Sequence, residues 1–275
     1  MFPRHPSSAL HLASHKARTE AGGESPSMRP RQLLCALRSY YRGCRNRDLR
    51  EFYNLESCLP YFDYAGQILG AHKWRILLRW LREAPIQGPL LEVGSGIGTF
   101  ACQLGRYGYH VIAVDISDAK TLKAQRLTAK GYSATTTPVY HCVGDLRELG
   151  AGTALDVALP TGCPWPVPRQ FSVLLAADVL EHVPSAPLQT LQHMRSLLTP
   201  HGRFFVSVPA RPWVNDPGHF WSLLPYEWEE VFVASGFRMH RRQMSRLCWY
   251  GLPTPLPLAM VYELQPMSHG MRTGR

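Results

Sequence analysis

Leu90-Leu91-Glu92-Val93-Gly94-Ser95-Gly96-Ile97-Gly98-Thr99-Phe100 reads as a short apolar strand, a glycine-rich turn and the opening of a helix. Three glycines in five positions let backbone amides close on a ligand that any Cβ would hold off. The helix N-terminus that follows adds partial positive charge. About twenty residues on, Val111-Ile112-Ala113-Val114 ends in Asp115, a carboxylate at the tip of a second apolar strand. An acid placed there can accept from both hydroxyls of a ribose. A dinucleotide fingerprint would place Gly or Ala where this chain has Thr99, which disfavours the pyrophosphate-binding version of the turn.

Outward from this unit the pattern alternates. A helical stretch over Tyr64–Arg82 carries Ile68, Leu69, Ile76, Leu77, Trp80 and Leu81 at helical spacing. Helices are expected at Phe100–Tyr107, Ala119–Lys130, Leu188–Leu198 and Pro225–Ala234. Strands are expected at Val139–Val143, Phe171–Ala177 and Arg203–Val208, and further ones near Phe237–Arg242 and Leu258–Leu264. Strands alternating with helices imply right-handed crossovers and a doubly wound, mainly parallel α/β sheet. Leu149–Arg169, rich in Gly and Pro, reads as a long loop between core strands. The expected organisation is a disordered basic arm over 1–30, a helical extension over 31–85, a main α/β domain over 86–265 that carries the glycine turn and Asp115, and a flexible tail over 266–275.

The ordered series Glu92-Val93-Gly94-Ser95-Gly96-Ile97-Gly98, Asp115, Gly144-Asp145, Ala177-Asp178-Val179-Leu180-Glu181-His182-Val183 and Leu198-Thr199-Pro200-His201-Gly202-Arg203 resembles the class I S-adenosylmethionine-dependent methyltransferases. Within them it is most similar to the small-molecule branch that includes the quinone-biosynthesis O-methyltransferases. The resemblance covers roughly residues 65–265 and implies a seven-stranded Rossmann-like sheet whose last strand runs antiparallel. It implies that Gly94, Ser95, Gly96 and Gly98 line the methionine and ribose of S-adenosyl-L-methionine, with Glu92 orienting the turn and receiving the ammonium. By the same resemblance Asp115 binds the ribose hydroxyls and Ile116 covers one adenine face. Asp145 accepts from the adenine amino group beside Leu146, and Asp178 and Val179 close the methionine side by backbone contacts. Two departures from the family pattern are Ser172 after Phe171 and an insertion over Leu149–Trp165.

Methyl transfer is an in-line displacement, so holding the reactants in line and excluding water are the main tasks. A hydroxyl acceptor also needs a base, and an imidazole titrating near neutrality suits it. His219, in Asn215-Asp216-Pro217-Gly218-His219-Phe220-Trp221, and His182 are the candidates, each with a purely structural alternative. Trp213, Phe220, Trp221, Tyr226 and Trp228 either wall an apolar acceptor site or pack the core. His72 and Trp74 lie over the cofactor or, as the amphipathic pattern favours, in the core.

Of the formal net charge of +10, +7 falls in the first fifty residues, where ten Lys/Arg face Glu20, Glu24 and Asp48. Arg31–Arg42 reads as an amphipathic helix with a cationic rim, packed on the domain or set against an acidic membrane surface or nucleic acid. Arg238, His240, Arg241, Arg242 and Arg246 form a second basic cluster, read as a guarded strand edge or a phosphate contact. Seven scattered cysteines without a C-x-x-C pair indicate neither a disulfide framework nor a zinc site, so no metal ligands are assigned and a reducing compartment is expected. With no secretory signal and no spanning stretch, a soluble cytoplasmic protein is expected, the acid-free start leaving the mitochondrial matrix as alternative. The expected acceptor is a small molecule taking the methyl on oxygen, nitrogen or carbon. The rivals are an RNA or protein methyltransferase using the basic arm, a non-catalytic scaffold and a nicotinamide oxidoreductase.

Overall fold

The computed structural model describes residues 49–56, 60–129, 137–149, 169–210, 219–249 and 252–267. The arm over 1–30, the helix expected over Arg31–Arg42, Trp213, and nearly all of the 149–169 loop and of the 266–275 tail lie outside the described residues.

Helix α1 (Leu49–Glu56) and helix α2 (Pro60–Leu81) lead into strand β1 (Leu90–Val93). Then follow α3 (Thr99–Arg106), β2 (Val111–Asp115), α4 (Asp118–Ala129), β3 (Val139–Val143), β4 (Phe171–Ala177), α5 (Pro187–Ser196), β5 (Leu198–Pro209), α6 (Pro225–Ala234), β6 (Phe237–Trp249) and β7 (Leu252–Pro266). The strands form one seven-stranded sheet in the order β3-β2-β1-β4-β5-β7-β6. Strands β1 to β5 pair in parallel, while β7 runs antiparallel to both β5 and β6. This is the expected doubly wound sheet with its reversed strand, and chain order reverses between β1 and β4, opening a crevice at their carboxyl ends.

Every residue of β1 and β2 is buried, as a parallel strand covered on both faces requires. The two-residue period sorts their side chains. Leu90, Val111, Ala113, Val173 and Leu175 pack with Ile76, Leu77, Trp80 and Leu81 of α2 on one face. Leu91, Val93, Ile112, Val114, Leu174 and Ala176 pack with Leu191, Met194, Trp228 and Phe232 of α5 and α6 on the other. Helix α2 is thus part of the core, and Trp74 stacks on Phe100 with ring centroids 5.7 Å apart. Among the described residues no helix is long and apolar enough to cross a membrane.

Strand β5 reads longer than its apolar pattern suggests, because Leu198 pairs with Phe171 ahead of a bulge. Strands β6 and β7 are likewise longer, at 13 and 15 residues, because they pair with each other beyond the end of β5. The basic cluster lies on β6, the edge of the sheet. Arg241 pairs with Glu263 and Glu83 and lies over the Trp80 ring, and Arg242 hydrogen-bonds Glu229 at 2.5 Å.

Candidate functional site

The tips of β1, β2 and β4 meet at the crevice. The turn after β1 holds Gly94, Gly96 and Gly98 at φ values of 65°, 56° and 74°, in the left-handed region where a Cβ is strained. Their missing side chains serve different ends. A Cβ on Gly94 would lie 2.3 Å from Cγ2 of Val179, and one on Gly98 would lie 2.3 Å from Cε1 of His141. Those two glycines let the turn sink onto β3 and the segment after β4. A Cβ on Gly96 would meet nothing within 4 Å, so Gly96 borders open space. Ser95 ties the turn to β2 by donating its N–H to the Val114 carbonyl at 3.1 Å.

Asp115 stands beside that space. One carboxylate oxygen accepts from the Gly96 N–H at 2.7 Å and the other from the Ser117 N–H at 2.8 Å. Each oxygen keeps a lone pair for a hydroxyl. Ile116 is half-buried next to it. Glu92, on β1, is 4% exposed, and its Oε2 has no hydrogen-bond partner. Burial, and behind it the Asp115 carboxylate, pushes its carboxyl up to about 8. An orphaned buried acid behind an open glycine cradle fits a ligand that brings a cation, and the ammonium of S-adenosylmethionine is one.

Asp145 lies past β3 with Leu146 buried beside it. Arg147 clasps it through Nε at 2.9 Å to both carboxylate oxygens, with its own N–H at 2.9 Å to Oδ1. Burial pushes that carboxyl up, but the Arg147 hydrogen bonds outweigh burial and hold it below its ordinary value. The adenine role therefore requires Asp145 to share its oxygens with Arg147. Asp178 and Val179 follow β4, where Asp178 pairs with Lys73 and accepts from the Ser207 hydroxyl at 2.7 Å.

Both candidate bases stand at this rim. His182 sits in the turn Leu180–His182, and its ring meets the His219 ring edge-on with centroids 4.5 Å apart. Two hydrogen bonds hold the second segment against the first: the Phe220 and Trp221 N–H groups donate to the Glu181 carbonyl at 2.8 and 3.2 Å. Trp221 adds its indole N–H to the Val183 carbonyl at 2.7 Å. Glu181, His182 and His219 bring one donor atom each to within 4.8 Å of one another. Of the aromatic concentration, Trp228 is wholly buried and stacks on Phe232, so it is core, while Tyr226 is exposed.

The sequence reading missed α1, Lys73 and the Arg147 clasp. Helix α1 bridges the two sides of the crevice. Asn54 accepts from the Ser117 hydroxyl at 2.7 Å and the Ala119 N–H at 3.1 Å, while the Tyr53 ring lies 5.9 Å from that of His182. Lys120 reaches over the Tyr53 ring at 4.6 Å. Helix α1 is amphipathic, with Leu49, Phe52 and Tyr53 at helical spacing, but its eight residues are too few for that pattern to stand out. An Asn at its polar end was the available signal.

Comparison with known proteins agrees with this fold. The methyltransferase domain family matches residues 65–252. The magnesium protoporphyrin IX methyltransferase ChlM of Synechocystis PCC 6803, solved with bound SAH, is similar at a TM-score of 0.56 and 16% identity, covering 80% of this chain and 99% of that one. The same protein with bound SAM gives 0.55 and 17%, over 79% and 95%. The CcbJ methyltransferase of Streptomyces caelestis gives 0.51 and 16%, over 73% and 90%. A search of the curated proteins finds no match. At these identities the neighbours establish the fold, and the family match over more than half the chain establishes the rest: the chain belongs to the methyltransferase domain family and is an S-adenosylmethionine-dependent methyltransferase of class I.

Proposed function

We propose that this enzyme methylates an oxygen of a small organic acceptor, with the acceptor seated between α1 and the segments after β4 and β5. The observation that carries this reading is the meeting of His182 and His219, 4.5 Å apart between ring centroids, at the rim of the cofactor crevice. S-adenosylmethionine supplies an electrophilic methyl on a positively charged sulfur. Glu92, the open space at Gly96 and Asp115 hold that molecule from the β1 and β2 side. Asp178 and Val179 line the opposite wall, with Lys73 fixing the Asp178 carboxylate.

A hydroxyl acceptor must lose a proton as its oxygen attacks, and one of the two imidazoles takes it. The neighbouring ring and Tyr53 exclude water from the same spot, which keeps the attacking oxygen poorly solvated and in line. Amine and carbon acceptors make less use of a paired imidazole site, and this is why oxygen is preferred.

The test incubates the purified enzyme and isotope-labelled S-adenosylmethionine with a cell extract and seeks products that gain one methyl group by mass spectrometry. An O-methylated product that falls sharply with His219→Gln or His182→Gln supports the reading. An N- or C-methylated product formed equally well by both variants contradicts it.

A further inference from the structure

Strand β7 pairs with β5 only from Ala259 to Leu264, while its pairing with β6 continues outward to Leu252 opposite Trp249. Residues 252–258 therefore belong to a two-stranded ribbon that overhangs the sheet. Because Ala259 faces Pro209 at the carboxyl end of β5, the ribbon projects from the edge that carries the glycine turn and the two histidines. On this ribbon Leu252 is 73% exposed and Leu256 39%, with Pro253 and Pro255 exposed between them. Large apolar side chains concentrated on one exposed element mark an interaction surface.

The surroundings are cationic. From Arg238 to Tyr262 the chain contains no Asp or Glu and four arginines; Glu83, Glu263 and Glu229 match Arg241 and Arg242, and Arg246 is the one opposite the ribbon. Where the ribbon leans on α2, Arg75 and Arg246 are exposed, and one turn further along α2 Arg79 is exposed beside Gln243 of the sheet. Arg75 donates to Cys248 Sγ at 2.8 Å, and the Arg246 N–H donates to His72 Nδ1 at 2.9 Å. His72 adjoins Lys73, which pairs with Asp178 in the crevice, so the ribbon base and the cofactor site share one stretch of α2.

The chemistry narrows the occupant. Pro253, Pro255 and Pro257 fall at every second position and remove three N–H donors from one edge of the strand, which opposes addition of another strand. Nucleic acid would use the arginines but has no use for two exposed leucines. A bilayer with acidic headgroups uses both, taking up the leucines at the acyl boundary while arginines meet phosphates. We propose that the β6–β7 ribbon is a peripheral docking element for an anionic lipid surface, setting the acceptor mouth against the membrane. This does not rest on the identity of the acceptor or of the base.

The test is co-sedimentation of the full chain with phosphatidylcholine vesicles containing or lacking phosphatidylserine, at physiological salt. The wild type is expected to partition onto the serine-containing vesicles and much less onto the neutral ones. Leu252→Asp with Leu256→Asp should weaken that partition by about tenfold or more. Arg79→Glu with Arg246→Glu should weaken it and abolish the preference for acidic lipid. Both double variants keep the basic N-terminal residues, and unchanged thermal midpoints confirm that they fold. The proposal is overturned if the wild type ignores acidic vesicles, including the case where it binds an RNA oligonucleotide through the same arginines. It is equally overturned if the leucine variant binds vesicles as the wild type does, including the case where it only converts a dimer to a monomer.

Discussion

Lys73, in the middle of α2, forms an ion pair with Asp178, the described non-glycine residue whose backbone stands at a positive φ, 56°. The lysine side chain is 8% exposed and the carboxylate 41%, so the pair closes the inner end of the crevice with its acid still facing the opening. Burial pushes Asp178 up, but Lys73, then Ser207 and His182, outweigh it and hold the carboxyl below its ordinary value. The left-handed backbone at Asp178 costs about 1–3 kcal/mol, which these contacts offset.

Lys73→Met is therefore expected to remove the counter-charge while keeping the stem. The half-open carboxylate limits the loss of stability to about 1–3 kcal/mol, below that of a fully buried pair. Urea unfolding of Lys73→Met, Asp178→Asn and the double variant should show that the second substitution recovers part of what the first loses. Additive losses would mean that the pair contributes nothing through its partnership.

Gly94 and Gly96 share a backbone conformation but not an environment, and alanine at each should separate folding from binding. Gly94→Ala drives its Cβ into Val179, 2.3 Å away, and is expected to lower the thermal midpoint strongly. Gly96→Ala carries only the left-handed backbone strain, about 1–2 kcal/mol, yet fills the space beside Asp115 and should abolish cofactor binding. Thermal unfolding and calorimetric titration on both variants check this. Equal effects on both properties would contradict the division.

Glu92, with a carboxyl at about 8, is protonated at neutral pH in the unliganded protein. Its folded value lies above the unfolded one near 4.5, so its contribution to stability is complete below about 4.5 and is lost as pH rises through about 8. An incoming ammonium favours the carboxylate, so binding releases a proton and affinity rises with pH. The rise is read from about pH 5.5 to 7.5, because the ligand's own α-amino group titrates near 8. Titrations in buffers of different ionisation enthalpy should detect the released proton, and Glu92→Gln should remove both proton release and pH dependence. A flat wild-type profile would contradict the role given to Glu92.

His182→Gln and His219→Gln should separate catalysis from cofactor binding once an acceptor is in hand. Loss of the imidazole that takes the proton is expected to lower kcat by about 10²–10⁴-fold, with S-adenosylmethionine affinity unchanged. If both variants lose cofactor affinity instead, the pair is holding up the crevice wall.

The legibility of this fold followed short apolar or amphipathic runs set between breakers. Strands β1, β3 and β4 and helix α6 lie at the expected residues because each is an apolar run, or an amphipathic one, between clear breakers. The far halves of β6 and β7 were hidden, since a two-stranded ribbon needs neither alternation nor an apolar face. In the site, Asp115 was readable from strand-tip position alone, whereas Lys73 resembled any cation on an amphipathic helix. Only the approach of α2 to the end of β4 turns Lys73 into the partner of Asp178, and a contact 105 residues apart in sequence leaves no local trace. His182 and His219 were each legible as candidates. Their meeting depends on the Glu181 carbonyl, a backbone group that composition cannot announce.

S-adenosylmethionine is expected to enter the open space at Gly96, flanked by Asp115. Calorimetric titration of the purified chain should give saturable one-site binding of that molecule and of its demethylated product. Asp115→Ala, which removes the acceptor of the Gly96 and Ser117 amides, should weaken both by about a hundredfold or more. No heat of binding from a folded wild-type protein, or equal affinity in the Asp115→Ala variant, would contradict the account.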